Sequence, residues 1–246
     1  MRLLLTLKSK KDAEYDLRYY NKVHGFIYNL LKNTPYHSLH NKPGYKFFCF
    51  SNIFPIGEIK VGDLRKFLIS SPDIQFIHFL EEELNKKNEV FIGEWHFKIE
   101  EIKKIELKIP NKMKLVTATP LIIRIPKRKY SEYKINSTKP YLFWEPYFPF
   151  QSFIKQLEEN LIKKYNQFYK TKIEEFPIFE QFEFKKTTKN YIVFRGKEEK
   201  IFGSIWEFIF ISLKNNEKKK KLLKFAIDCG FGERNTYGFG FINIKK

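Results

Sequence analysis

The chain has 246 residues, 43% of them hydrophobic and 18% aromatic, and carries 46 Lys and Arg against 28 Asp and Glu, a net charge of +18 at pH 7. The apolar fraction fills a core and excludes a disordered chain, while two cysteines, Cys49 and Cys229, exclude a disulfide framework or a multi-thiolate zinc site. The charge calls for an anionic partner, and nucleic acid fits it.

Residues 2–7 read as a strand, too short and too soon followed by charge to be a signal peptide, so a cytoplasmic location is expected. Val23, Phe26, Ile27 and Leu30 fall at i, i+3, i+4 and i+7, an amphipathic helix stopped before Pro35. Residues 45–53 and 64–70 read as strands. Ser71-Pro72-Asp73 predicts a helix start, with Ser71 as N-cap and Pro72 at the first helical position. That helix carries Ile77, Leu80 and Leu84 on one face, and residues 89–109 follow as a long strand or hairpin.

The second half repeats the order. Residues 115–125 are strand-like, and Ile154, Leu157, Leu161, Tyr165 and Phe168 mark a helix over about 150–170. Residues 191–195 and 205–211 read as a hairpin joined through Gly196 and a lysine-rich turn. A helix from Asn216 to Asp228 and a strand over 237–244 close the chain. The longest apolar stretch, Ile205 to Leu213, is broken by Glu207 and falls short of the ~20 residues a spanning helix needs, so no membrane partner is expected. Two βαββαβ units, 1–112 and 113–246, account for the length. Each predicts a ferredoxin-like sandwich of four antiparallel strands backed by two helices, an α+β class. Many RNA-binding domains use that frame, with aromatic rings for unpaired bases and Lys and Arg for phosphates. Most of the Phe residues belong in the core.

Residues 230–240 hold four of the chain's 11 glycines, a density that implies positive φ or close approach of another backbone. The dinucleotide fingerprint does not fit, because no strand precedes it and Asn235 replaces its third glycine; no Gly-Lys-Ser/Thr follows to make a phosphate loop. What remains is a pair of Gly-Phe-Gly units around Arg234, whose amides offer a phosphate nest. The plain alternative is a tight turn into an edge strand.

This segment resembles the C-terminal signature of the repeat-associated (RAMP) superfamily: Gly-x-Gly, five residues, Gly-x-Gly. Within it the chain is similar to the CRISPR-associated endoribonucleases that process precursor CRISPR RNA. The duplicated plan, Gly25-Phe26-Ile27-Tyr28-Asn29 in the first helix and Leu39-His40-Asn41-Lys42-Pro43-Gly44-Tyr45-Lys46-Phe47-Phe48 after it extend the resemblance over nearly the whole chain. The resemblance implies a Tyr, His and Lys site, which falls by position on Tyr28, His40 and Lys46. Taken alone, Tyr28 lies about 150° around the helix from the apolar stripe, facing solvent or a groove. His40 sits in a polar loop and titrates near neutrality. Lys46 opens a strand. His37, three residues before His40, is its rival, and His24 shares a helix face with Tyr28. A metal site of His24, His37 and His40 has no acidic partner nearby in sequence, so neither metal nor cofactor is expected. His78 and His96, among apolar neighbours, read as structural.

The implied reaction is metal-independent cleavage by a 2′-OH, with His40 as general base. Tyr28 orients the nucleophile or protonates the leaving oxygen, and Lys46 stabilises phosphoryl charge. The implied substrate is the CRISPR repeat within precursor CRISPR RNA, gripped by Arg195, Lys197, Lys200, Arg234 and the loop glycines Gly230, Gly232, Gly238 and Gly240. A CRISPR effector complex and a second copy of the chain are further candidate partners. Two other readings stay open: a non-catalytic RAMP subunit, from which His40 and Tyr28 discriminate, and a general single-strand binder indifferent to the 2′-OH.

Overall fold

The computed structural model describes residues 1–16, 19–194 and 196–245. It divides into two compact units, Met1–Leu107 with Thr236–Gly238, and Lys108–Asn235 with Phe239–Lys246.

The first unit runs β1 (Arg2–Ser9), α1 (Tyr19–Leu30), β2 (Cys49–Phe50), β3 (Leu64–Ser70), α2 (Ile74–Asn85), β4 (Glu89–Ile92) and β5 (Trp95–Ile105). Its antiparallel sheet has the order β2-β3-β1-β5-β4, a ferredoxin-like sheet with β4 added as a hairpin partner of β5. β1 is central because alternate residues Leu3, Leu5 and Leu7 lose all their solvent exposure, each such burial contributing roughly 1.5–3 kcal/mol. Val23, Phe26, Ile27 and Leu30 of α1 and Phe76, Ile77, Leu80 and Leu84 of α2 are likewise buried.

Asp73, not Ser71, is the N-cap of α2: its carboxylate accepts hydrogen bonds from the amides of Gln75 and Phe76 at 3.0 and 3.3 Å. Ser71 instead accepts from the Asp73 amide and donates to the Phe47 carbonyl. The strand expected over 45–53 shrinks to Cys49–Phe50, because Phe47 at φ +49° turns the chain out of extended geometry just before it.

The second unit runs β6 (Met113–Thr117), β7 (Arg124–Pro126), β8 (Tyr141–Phe143), α3 (Phe150–Tyr169), β9 (Gln181–Phe194), β10 (Lys197–Phe210), α4 (Glu217–Cys229) and β11 (Ile242–Lys245). Its antiparallel sheet has the ferredoxin order β11-β6-β10-β9, and β7-β8 forms a separate ribbon. Asn216 caps α4 by accepting from the Lys219 amide. The strand expected over 115–125 is interrupted after Thr117 and resumes only at Arg124. The hairpin is longer than the sequence suggested, with 14 residues in each strand, and Lys197 to Lys200 lie in β10 rather than in a turn. The closing strand starts at Ile242, since Asn235–Tyr237 form a 3-10 turn. No helix among the described residues is long and apolar enough to cross a membrane.

Candidate active site

Helix α1 presents His24 and Tyr28 one turn apart on the face opposite its apolar stripe, a spacing that makes neighbours of residues four apart. The chain then leaves the helix and makes a 3-10 turn over His37–His40. Tyr36, just ahead of that turn, donates its hydroxyl to Asp73 at 2.6 Å and packs its ring on Phe76 and Phe79. The helix cap thereby also anchors the turn.

The result brings His40 back to α1. The His40 and Tyr28 rings meet edge to face, 4.8 Å between centroids and 90° between planes. His24 contacts Tyr28 at 4.7 Å and His40 at 5.7 Å, and Phe48 closes the floor 5.8 Å from Tyr28. Tyr237 stacks on His24 at 4.3 Å, the planes 10° from parallel. His40 itself stays exposed, its Nδ1 within 3.2 Å of Asn41 Oδ1.

Tyr28 is half-buried, and its hydroxyl is buried without a hydrogen-bond partner. Such an orphaned group costs about 1–3 kcal/mol. Burial, and after it the neighbouring Tyr237, pushes the phenol well above its usual range. Burial lowers His24 to about 4, helped by His40 and Lys46. Lys46 is half-buried, donates to the Lys42 carbonyl at 2.7 Å, and is depressed by the same loss of solvent.

Tyr28, His40 and His24 are thus in mutual ring contact, and Lys46 lies near enough to act on the charge of His24. His37 is exposed and turned back on its own loop, with Nδ1 3.2 Å from the Thr34 carbonyl. His78 is exposed beside Glu82, and His96 pairs with Glu89 and stacks on Phe91 at 4.2 Å on the β4–β5 hairpin. Among the described residues, no three of His, Cys, Asp or Glu are placed to hold a metal ion.

The glycine loop is shaped from inside. Gly230, Gly232, Gly238 and Gly240 all have positive φ and are buried. A Cβ on Gly240 would stand 1.9 Å from the Phe231 carbonyl oxygen, and one on Gly232 would stand 2.6 Å from that of Ile122. Lys164 of α3, 2% exposed, donates its ammonium to the Gly230 and Gly232 carbonyls and to Asn235 Oδ1 at 3.0, 2.5 and 2.6 Å. Asn235 donates to the carbonyls of Phe231 and Phe239, both at 2.9 Å. Several loop amides are also engaged, Phe231 with Gly240, Glu233 with Ile122 and Gly240 with Pro120. The glycines set the loop's shape, and residues 233–237 are what it offers to solvent.

Arg234 lies over the Phe194 ring at 4.2 Å and pairs with Glu199 at 2.8 Å. Lys197 and Lys200 are exposed on β10, with the Lys200 ammonium over Phe202 at 4.7 Å. Lys189 lies over Tyr191 at 5.6 Å on β9. Arg195 lies outside the described residues. The sequence reading missed Tyr237 and Lys164 altogether. Neither gives a signal: one is 213 positions from its ring partner, and the other is a single Lys in a lysine-rich chain.

A family model for the C-terminal part of CRISPR-associated protein Cas6 matches residues 100–244. The CRISPR-associated endoribonuclease Cas6 2 of Methanocaldococcus jannaschii is 35% identical over 257 residues, covering 100% of both chains. The CRISPR-associated endoribonuclease Cas6 of Haloferax mediterranei is 27% identical, covering 99% of this chain and 93% of that one. A solved structure described as CRISPR associated protein Cas6 superposes with a TM-score of 0.73 at 22% identity, covering 100% of this chain and 99% of the other.

Proposed function

The chain belongs to the Cas6 family of CRISPR-associated endoribonucleases, and from that premise we propose that it binds CRISPR repeat RNA and cuts precursor CRISPR RNA by internal transesterification without a metal ion. His40 takes the proton from the 2′-OH upstream of the scissile phosphate. That oxygen bonds to phosphorus as the P–O5′ bond breaks. One fragment keeps a 2′,3′-cyclic phosphate, and the departing oxygen gains a proton from water to become a 5′-OH. Tyr28, whose phenol resists ionisation, acts as a hydrogen-bond donor that orients the reacting oxygen rather than as a proton source. Lys46 neutralises charge developing on the phosphoryl oxygens. Lys197, Lys200 and the solvent-facing part of the glycine loop grip the flanking RNA, and the released guide units pass to a CRISPR effector complex.

The observation that carries this reading is the Tyr28–His40 pair, a half-buried Tyr whose hydroxyl has no hydrogen-bond partner in ring contact with an exposed imidazole. The test is single-turnover cleavage of repeat RNA by His40→Ala, His37→Ala and Tyr28→Phe, with affinity measured alongside. His40→Ala loses about 10²–10⁴-fold in rate, the worth of general acid–base catalysis. It keeps its affinity, because a base acts in the transition state. His37→Ala stays near wild type. Full activity in His40→Ala with none in His37→Ala would move the base to His37.

A further inference from the structure

Tyr237 reaches His24 from the far end of the sequence, in a segment that clusters with the first unit. Its ring lies flat on the imidazole, 4.3 Å between centroids and 10° from parallel. The other edges of the same imidazole meet Tyr28 at 4.7 Å and His40 at 5.7 Å. We infer that Tyr237 and His24 form a stacked pair of positioning residues: Tyr237 caps the His24 ring, and His24 holds the Tyr28 and His40 rings at their working angles. This rests on the reading of Tyr28 and His40 as the cleavage residues.

The backbone shows that the stack is built rather than incidental. Tyr237 ends a 3-10 turn and is followed by Gly238 at φ +82°. A Cβ on Gly238 would stand 2.3 Å from the Phe50 ring, and Phe50 has no solvent exposure. Only glycine tolerates both the angle and the approach, so the residue beside Tyr237 is fixed against the core of the first unit. A long side chain on a loose loop has no such constraint.

The titratable groups facing His24 are Tyr28 from its own helix, His40 from the 3-10 turn, Lys46 from the segment before β2, and Tyr237. Covered by Tyr237 and set beside His40 and Lys46, the imidazole is held neutral, with burial as the main cause. With its proton affinity lowered by burial, His24 is a weak base and serves as a packing surface.

The test uses the full chain and a repeat RNA. In Tyr237→Ala the single-turnover cleavage rate falls about tenfold or more, since small misplacements of reacting groups cost that much, while affinity for the RNA is retained. In the same variant the NMR titration of the His24 ring proton moves up from about 4 toward the ordinary value near ~6.5. Tyr237→Phe keeps the stack and restores both. If Tyr237→Ala fails to fold, Tyr237→Leu, which fills the space without a planar face, takes its place. Wild-type rate and an unmoved His24 titration in these variants overturn the inference. His40→Ala in the same assay separates the two claims: full activity there removes the cleavage site itself, whereas an inactive His40→Ala beside a fully active Tyr237→Ala removes only the positioning role.

Discussion

Replacing Lys164 by Met tests whether the glycine loop is held from beneath. The ammonium is 2% exposed and satisfies the carbonyls of Gly230 and Gly232 together with Asn235 Oδ1. Met fills similar volume and donates nothing. Two buried carbonyls lose a charged donor, each at about 1–3 kcal/mol, while the Asn235 oxygen, only partly buried, is rehydrated. Against this, the variant no longer carries the desolvation cost of a buried cation. The net loss is about 3 kcal/mol, in line with removing one partner of a buried charged network. For a chain of this length each kcal/mol lowers Tm by roughly 2–4 °C, so the expected drop is about 6–12 °C. Thermal unfolding at pH 7 followed by circular dichroism measures it, with a urea titration to check that the slope is unchanged. A Tm within experimental error of wild type would show that the loop keeps its shape without Lys164, and the reasoning would be wrong.

Gly240→Ala places a Cβ 1.9 Å from the Phe231 carbonyl at φ +75°, so it lowers stability by about 1–2 kcal/mol on left-handed strain alone and by more through the clash, read as a shifted urea midpoint. RNA affinity falls steeply with salt, because a protein of net charge +18 releases counterions with a slope near −0.7 per phosphate contacted on a single strand; filter binding at several salt concentrations measures the slope. Stability also falls as pH is lowered from about 6.5 to about 4. In that window the unfolded chain protonates His24, whose folded value is depressed to about 4, while the folded chain does not. Urea midpoints at pH 7, 5.5 and 4.5 should show a shallower decline in His24→Gln than in wild type.

The duplicated βαββαβ order was legible because it depends on local periodicity. Leu3, Leu5 and Leu7 alternate, Val23 to Leu30 follow the helical period, and both patterns are buried as written. Boundaries failed where a side chain outbid the pattern. Asp73 reaches two amides and takes the cap from Ser71, and Phe47 at positive φ ends an apparently continuous apolar strand. The alternation of β9 and β10 is masked by lysines on an exposed face, so only the apolar stretches 191–195 and 205–211 were visible. At the site, Tyr28, His40 and Lys46 came from a resemblance to known ribonucleases rather than from spacing. His24 was readable as a neighbour of Tyr28 four residues away, but its depressed pKa depends on burial that no local pattern encodes. The glycines were read correctly as conformational, yet their density says nothing of the lysine beneath them.

The central claim is that the RNA's own 2′-OH is the nucleophile, with His40 as its base. One measurement addresses it most directly: single-turnover cleavage, in excess chelator, of two repeat RNAs that differ only by a 2′-deoxy sugar just upstream of the scissile phosphate. The ribose substrate should be cut once, leaving a 2′,3′-cyclic phosphate and a 5′-OH. The deoxy substrate should bind with equal affinity and not be cut. Normal cleavage of the deoxy RNA would make water the nucleophile and contradict the mechanism.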